Sequence, residues 1–537
     1  MGWLRIVPLI AAWAPFAAAQ CTFSASGSGR TLIYRFAADP PVLHATLEFP
    51  GGAKGRETVE VPAEWAGEKL HNILNLHAVS KGATLSDTDT PGEKILRYPP
   101  NQHVILAYDL VQDWSGPLNH PLQFHGVLQP QYFEINGENA LVYPGMDPQT
   151  PVSVFFDWSK LPSDWALATS FGASSGSRDR CQSYTGEWRS VTEAVFAAGD
   201  FRLHDFQIGP RPAVLAIRGK WTFTDDDVIA ELQKTIGMER EFWHDDNFPY
   251  FLVTWKPFDV DHGSGDGSAF TNAFWIYMSR LDALSSQVGQ IAHENFHEWN
   301  PGRMGALPES SSQVAWFTEG FTRYYADDLL NRARMLRLHV YLDGLNRDLV
   351  LFPRSTDPYG RGRVIAFWLN EQIRRNTKNR SSLDNVMFDL VRDNDRRLTQ
   401  KRVLATIDRY LSRPARRQLE QAVQNGGVLQ MPPDAFGACA QLSMDKLVLF
   451  DLGFDFPVSM KAHRVTGVRP DGPAFRAGLR DGQALQGWSV YNDQPDKEAR
   501  LDIRVDGAKK SIRYYPRGET VTMPQYHVRQ DARCSIP

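Results

Sequence analysis

Residues 293–301 read "HENFHEWNP", a glutamate beside the first of two histidines set four positions apart. On a helix, positions i and i+4 lie one turn apart on one face. His293 and His297 are therefore placed to offer two imidazoles to one ion, with Glu294 beside the first, where an attacking water would sit. Val288, Ile291, Phe296 and Trp299 supply an apolar stripe, and Pro301-Gly302 ends the helix. Chance alone produces this five-residue pattern in roughly a few chains per hundred of this length, so the alternative is three polar side chains that merely share a helix. A third donor reduces that alternative. "WFTEGFTRYY" (316–325) sets Glu319 on a second expected helix, 22 residues after His297. Two histidines and one glutamate leave the fourth position of a zinc ion open, which is the catalytic arrangement.

"HENFHEWNPGR" followed by "WFTEGFTRYYADDLL" resembles the glycyl aminopeptidase family of thermolysin-like zinc metallopeptidases. The resemblance covers most of the chain. It implies a multidomain protein: an N-terminal β-sandwich, an α+β thermolysin-like catalytic domain largely helical in its second half, and a C-terminal PDZ-like β domain. It also implies one zinc ion on His293, His297 and Glu319, with Glu294 as general base. "DPYGRG" (357–362) resembles a tyrosine-bearing segment whose hydroxyl stabilises the oxyanion, which implies that role for Tyr359; Arg361 replaces the family's lysine there.

The strand before the zinc helix departs from the family. In "GDGSAFTNAFWIYM" (265–278), Ala269 stands where the family has a glutamate that holds a free ammonium group, and Phe270 stands at its histidine. Asn272 keeps the family's asparagine. Asp266, Gly267, Ala269 and Asn272 are the substrate-binding candidates, with Asp261 and Asp266 as substitute carboxylates. The expectation is an aminopeptidase-like exopeptidase. The alternatives are an endopeptidase with altered recognition of the substrate's amino terminus, or a non-catalytic, chaperone-like peptide binder with a vestigial zinc site.

The chain has 537 residues, 42% hydrophobic and 12% aromatic, enough for about three packed domains. A net charge of −4 without a basic stripe argues against a nucleic-acid partner. The start, "MGWLRIVPLIAAWAPFAAAQC", pairs Arg5 with a short apolar run and an Ala-Ala-Ala site, as in a signal peptide cut after Ala19. The protein is thus expected to be exported, periplasmic or secreted, and no later stretch reads as a membrane span. Four cysteines in an exported chain favour disulfides. Three pairings exist; contiguous domains favour Cys21–Cys181 and Cys439–Cys534.

Short β-branched and aromatic runs such as "TPVSVFFDW" (150–158) fill residues 20–200. Residues 201–437 open on a strand and then turn helical: Thr224 caps a run with Val228, Ile229, Leu232 and Ile236 at helical spacing. Residues 438–537 turn β-like. There "FDLGFDF" (450–456) resembles the carboxylate-capturing loop of PDZ domains, and "VRPDGPAFRAGLRDGQAL" (468–485) a segment of bacterial PDZ domains, which implies a peptide carboxylate as a second partner beside the peptide or protein substrate.

Overall fold

The computed structural model describes residues 21, 29–65, 67–119, 122–176, 179–305, 307, 311–393, 397–425, 427, 429–505 and 507–529. The expected signal peptide (1–19) and Cys534 lie outside the described residues. The chain forms two compact units. The first holds the chain through residue 306 with Tyr325–Leu330 and Asp393–Leu398; the second holds the remainder.

Among the described residues of the first unit, the N-terminal β region has three sheets of four or more strands and one two-stranded ribbon, more than the two layers of a simple sandwich. A six-stranded sheet runs Cys181–Glu187, Pro151–Lys160, Arg30–Asp39, Val42–Pro50, His103–Leu110, Ile73–Ala78. A five-stranded sheet runs Val127–Gln129, Tyr132–Asn136, Val195–Gly199, Ala166–Thr169, Gly172–Ser175, and a four-stranded sheet carries Val59 and Leu96. Strict alternation in Arg30–Asp39 buries Leu32, Tyr34 and Phe36, which meet Phe133, Ile135 and Phe196 in one core. A disulfide joins Cys21 to Cys181. Cys439 is also disulfide-bonded.

The five-stranded sheet is buried on both faces. While Phe133 and Ile135 face the first core, Tyr132, Val195 and Ala197 face a second one with Val214, Leu252, Trp275 and Tyr277. Those partners belong to a mixed sheet of strands β1 (Arg202–Ile208), β2 (Arg211–Ile217), β3 (Phe251–Pro257), β4 (Gly265–Phe270) and β5 (Ala273–Met278). Its order is β1-β2-β3-β5-β4, with β2, β3 and β5 parallel and β4 on the edge, antiparallel to β5. Between the two sheets Lys256 pairs with Glu134, both fully buried. Glu134 also accepts hydrogen bonds from Thr254 (2.6 Å) and Tyr277 (2.9 Å).

Helix α1 (Asp225–Trp243) crosses from β2 to β3. Thr224 and Asp227 form its capping box, satisfying backbone N–H groups that have no partner inside the helix. Helix α2 (Val288–Phe296) packs on α1 and on β4. Helix α3 spans Ser311–Arg332.

The second unit is helical, then β. Helices α4 (Leu338–Leu351), α5 (Pro358–Thr377), α6 (Leu383–Arg392), α7 (Gln400–Asp408) and α8 (Arg413–Asn425) precede a long antiparallel pair, Ala440–Phe450 with Arg517–Val528. A three-stranded sheet of Ala484–Ser489, Ala499–Val505 and Ala508–Tyr514 packs with Leu452, Phe454 and Val465 around a small separate core. After the loop at 451–455 the chain enters helix α9 (Phe456–Ala462), capped by Asp455 with Pro457 in its first turn. Among the described residues no helix is long and apolar enough to cross a membrane.

Candidate active site

Helix α2 ends at His297, and a wide turn follows over 298–303. The Nε2 atoms of His293 and His297 face each other at 3.2 Å. At zinc–nitrogen bonds of about 2.0–2.1 Å, a tetrahedral site separates its ligands by about 3.3 Å, so this spacing suits a shared ion. One ligand atom each from His293, His297 and Glu319 lies within 4.8 Å of the others. Two imidazoles and a carboxylate are a zinc donor set, and the residues present fit the ion.

The ring of His297 is held from behind. Its Nδ1 lies 2.8 Å from the Asn300 carbonyl, which accepts the Nδ1 proton and leaves Nε2 bearing its lone pair. Asn300 departs from helical geometry (φ −113°, ψ 93°), which turns that carbonyl back toward the helix end. The side chains between the ligands anchor α2 instead. Asn295 donates to the carboxylate of Glu239 on α1 (2.7 Å), and burial pushes the Glu239 carboxyl up well above its ordinary range. Trp299 stacks on Trp243 (5.6 Å) and donates to Asp245 (2.9 Å).

Glu294 is buried, and the side-chain amide of Gln290 donates to its Oε1. Across from it lies the edge strand β4. A Cβ built on Gly267 would stand 2.6 Å from Glu294 Cγ, and one on Gly265 would meet the Gln287 side chain. Strand alternation puts Ala269 on the same face and Asp266, Ser268 and Phe270 on the other. Phe270 indeed packs on Trp275. The Asp266 carboxylate accepts from the Gly267 N–H at 2.8 Å. Asn272 sits in the turn between β4 and β5 with φ +50°, and its carbonyl accepts from Leu252 N–H. Asp261 is exposed and its carbonyl accepts from Leu281 N–H.

Within the second unit, α3 and α5 cross backbone to backbone at Gly320 and Gly362. Gly320 follows Glu319 directly, and the Pro358 carbonyl would lie 2.9 Å from a Cβ built on it. The crossing sets the first turn of α5, with Tyr359, beside the stretch of α3 that bears Glu319. Tyr359 is 40% exposed. Asp357 caps its helix, accepting from the N–H groups of Tyr359 (3.2 Å) and Gly360 (2.9 Å). Trp299, Trp316, Tyr324 and Tyr325 are buried core side chains.

Three features of this arrangement were not readable from the motifs: the Asn300 carbonyl, the glycine crossing and the contact of Gly267 with Glu294. Each is made by main chain.

The family match over residues 286–358, with a His-His-Glu group that could hold the ion, marks a zinc-dependent, aminopeptidase-like metallopeptidase. Residues 286–358 match the M61 glycyl aminopeptidase family. No curated protein matches the chain. Among solved structures, an aminopeptidase N family protein from Idiomarina loihiensis superposes with a TM-score of 0.69 at 15% identity, covering 93% of this chain and 98% of that one. A two-domain M1 zinc metallopeptidase mutant bound to L-tryptophan gives 0.51 at 14% identity, covering 75% and 96%. Native yeast LTA4 hydrolase gives 0.50 at 13% identity, covering 75% and 69%. At these identities the likeness is one of fold: a β-rich N-terminal part followed by a helical part.

Proposed function

We propose that the protein hydrolyses peptide bonds at a single zinc ion held by His293, His297 and Glu319. The observation that carries this reading is the 3.2 Å approach of two histidine Nε2 atoms beside a third carboxylate donor. Zinc, when bound, acts as a Lewis acid on the scissile carbonyl and makes water acidic enough to be used near neutral pH. Glu294 takes a proton from the attacking water and returns it to the departing amine. Its burial keeps bulk water from competing for that proton, and Gln290 orients the carboxylate. Tyr359 donates its hydroxyl hydrogen bond to the carbonyl oxygen as negative charge develops there.

An exopeptidase that removes amino-terminal residues is the first reading of substrate choice. One observation favours an endopeptidase as the second: the α2-facing positions of β4 are Gly265, Gly267 and Ala269, which offer no carboxylate to a free ammonium group. Cleavage of matched peptides with free and acetylated amino termini separates the two. Export from the cytoplasm is supported by the Cys21–Cys181 disulfide. Domain boundaries at 20–200, 201–437 and 438–537 follow the changes in patterning. A PDZ-like role for 438–537 would rest on the loop at 451–455, whose Gly453 takes φ +79°.

The deciding experiment measures peptide-library hydrolysis with and without a chelator, and with Glu294→Gln. The expected result is chelator-sensitive cleavage that zinc restores, and a variant that binds zinc yet is slower by about 10²–10⁴-fold. Near-normal cleavage by Glu294→Gln would sink the assignment.

A further inference from the structure

Arg361 ties together three segments of the second unit. Its Nη1 donates to the Phe352 carbonyl at 2.7 Å and, over a longer 3.4 Å, to that of Ser355. Its Nη2 donates to the Ala422 carbonyl at 2.8 Å, and the guanidinium lies 4.7 Å from the Phe352 ring centroid. Phe352 closes the C-terminal end of α4, and Ala422 lies in the last turn of α8. Last-turn carbonyls have no partner in their own helix and form its negative end. A planar cation with several donors fixed in one plane satisfies two such ends at once with less ordering cost than an ammonium group.

The strap from Phe352 to Asp357 is fastened from its other side as well. Asp357 N–H donates to Ser355 Oγ (3.0 Å), and the Asp357 carbonyl accepts from Arg361 N–H (3.2 Å). The first turn of α5 is therefore fixed by its cap and by the Arg361 side chain. Tyr359 stands two residues before that clamp, so the clamp fixes the backbone from which its side chain departs.

We propose that Arg361 is a positioning residue for the reaction: by locking the strap and the end of α8 onto the first turn of α5, it fixes where Tyr359 aims its hydroxyl. This rests on the reading of Tyr359 as the oxyanion donor. A group placed about 1 Å off can cost about 100-fold in rate, so a loosened strap is felt in kcat.

The test is kinetic, on the full zinc-loaded chain, with Tyr359→Phe, Arg361→Met, Arg361→Lys and the Tyr359→Phe/Arg361→Met double variant. Tyr359→Phe should lower kcat by about 100-fold, as loss of one oxyanion donor does. Arg361→Met should lower kcat by about 10-fold with KM held within about two-fold, and Arg361→Lys should restore part of it. In the double variant the two losses should not multiply: it should be no slower than Tyr359→Phe alone. A double variant that falls by the full product, or Arg361→Met at wild-type kcat, overturns the proposal. Tyr359→Phe at wild-type kcat removes instead the oxyanion reading beneath it. Should Arg361→Met lose zinc or unfold at assay temperature, the same cycle built on Arg361→Lys decides.

Discussion

Gly320 and Gly362 touch main chain to main chain. A Cβ on Gly362 would stand 2.5 Å from the Cα of Gly320, and one on Gly320 would stand 2.7 Å from the carbonyl carbon of Gly362. Neither helix can yield by rotating a side chain, because the obstructing atoms are backbone.

An alanine at either position should therefore part α3 from α5. In an open helix the change would gain about 1 kcal/mol; here overpacking should cost about 1–3 kcal/mol instead. Glu319 precedes the crossing directly, so zinc affinity should fall with stability. Calorimetry and zinc titration of Gly362→Ala check both, and an undiminished Tm with unchanged zinc affinity would show that the helices have room to part.

Gly267→Ala tests the other close approach. Its new methyl would stand 2.6 Å from Glu294 Cγ, pressing on the proposed general base from β4. kcat should drop by about 100-fold, with zinc content and circular dichroism close to wild type. Wild-type kcat would mean that β4 shifts outward freely, as an edge strand can.

Lys256 and Glu134 are fully buried and paired. Burial alone pushes the Lys256 ammonium well below its ordinary pKa, so it depends on the carboxylate to stay charged. Glu134→Ala should destabilise by about 3–5 kcal/mol, because it strands a buried charge. The Lys256→Met/Glu134→Gln pair should recover most of that, since the amide oxygen still accepts from Thr254 and the amide N–H can donate to the Tyr277 hydroxyl. Urea unfolding of both variants reads the difference; equal losses would contradict the pairing.

Asp225, in the first turn of α1, takes two hydrogen bonds from Arg202 (2.7 and 2.8 Å), and these hold its carboxyl below the usual carboxylate range. Its folded pKa is depressed relative to about 3.9 in an unfolded chain. Its stabilisation is thus present above about pH 4 and lost as pH falls through the lower folded value. Asp225→Asn should cost about 1 kcal/mol near neutral pH, a modest figure because Arg202 is partly exposed, and should flatten the acid limb of the stability curve. A parallel acid limb in the variant would refute the assignment.

The candidate donor set was legible because a helix repeats every 3.6 residues, so His293 and His297 announce their shared face and Glu319 its return. Thr224 announced α1 in the same way, through a cap chemistry that is local. The third N-terminal sheet was not legible, because which strands share a sheet depends on pairings between residues far apart in sequence. The start of α9 is marked locally as well, since Asp455 and Pro457 are helix-start residues at and just past the end of "FDLGFDF". Gly267, Gly320 and Gly362 have no side chain to betray the close approach that each backbone makes. Asn300 is conspicuous as a side chain, yet it serves His297 through its carbonyl.

The sheet that holds Tyr132 and Phe133 on opposite faces belongs to two cores at once. A chain cut near residue 200 would leave the β1–β5 layer with a bare apolar wall, and the preceding segment with another. The first unit should consequently melt in one transition and resist being divided by a protease into working pieces. Grafting this peptidase half onto a foreign partner would demand that the partner bring a sheet of its own.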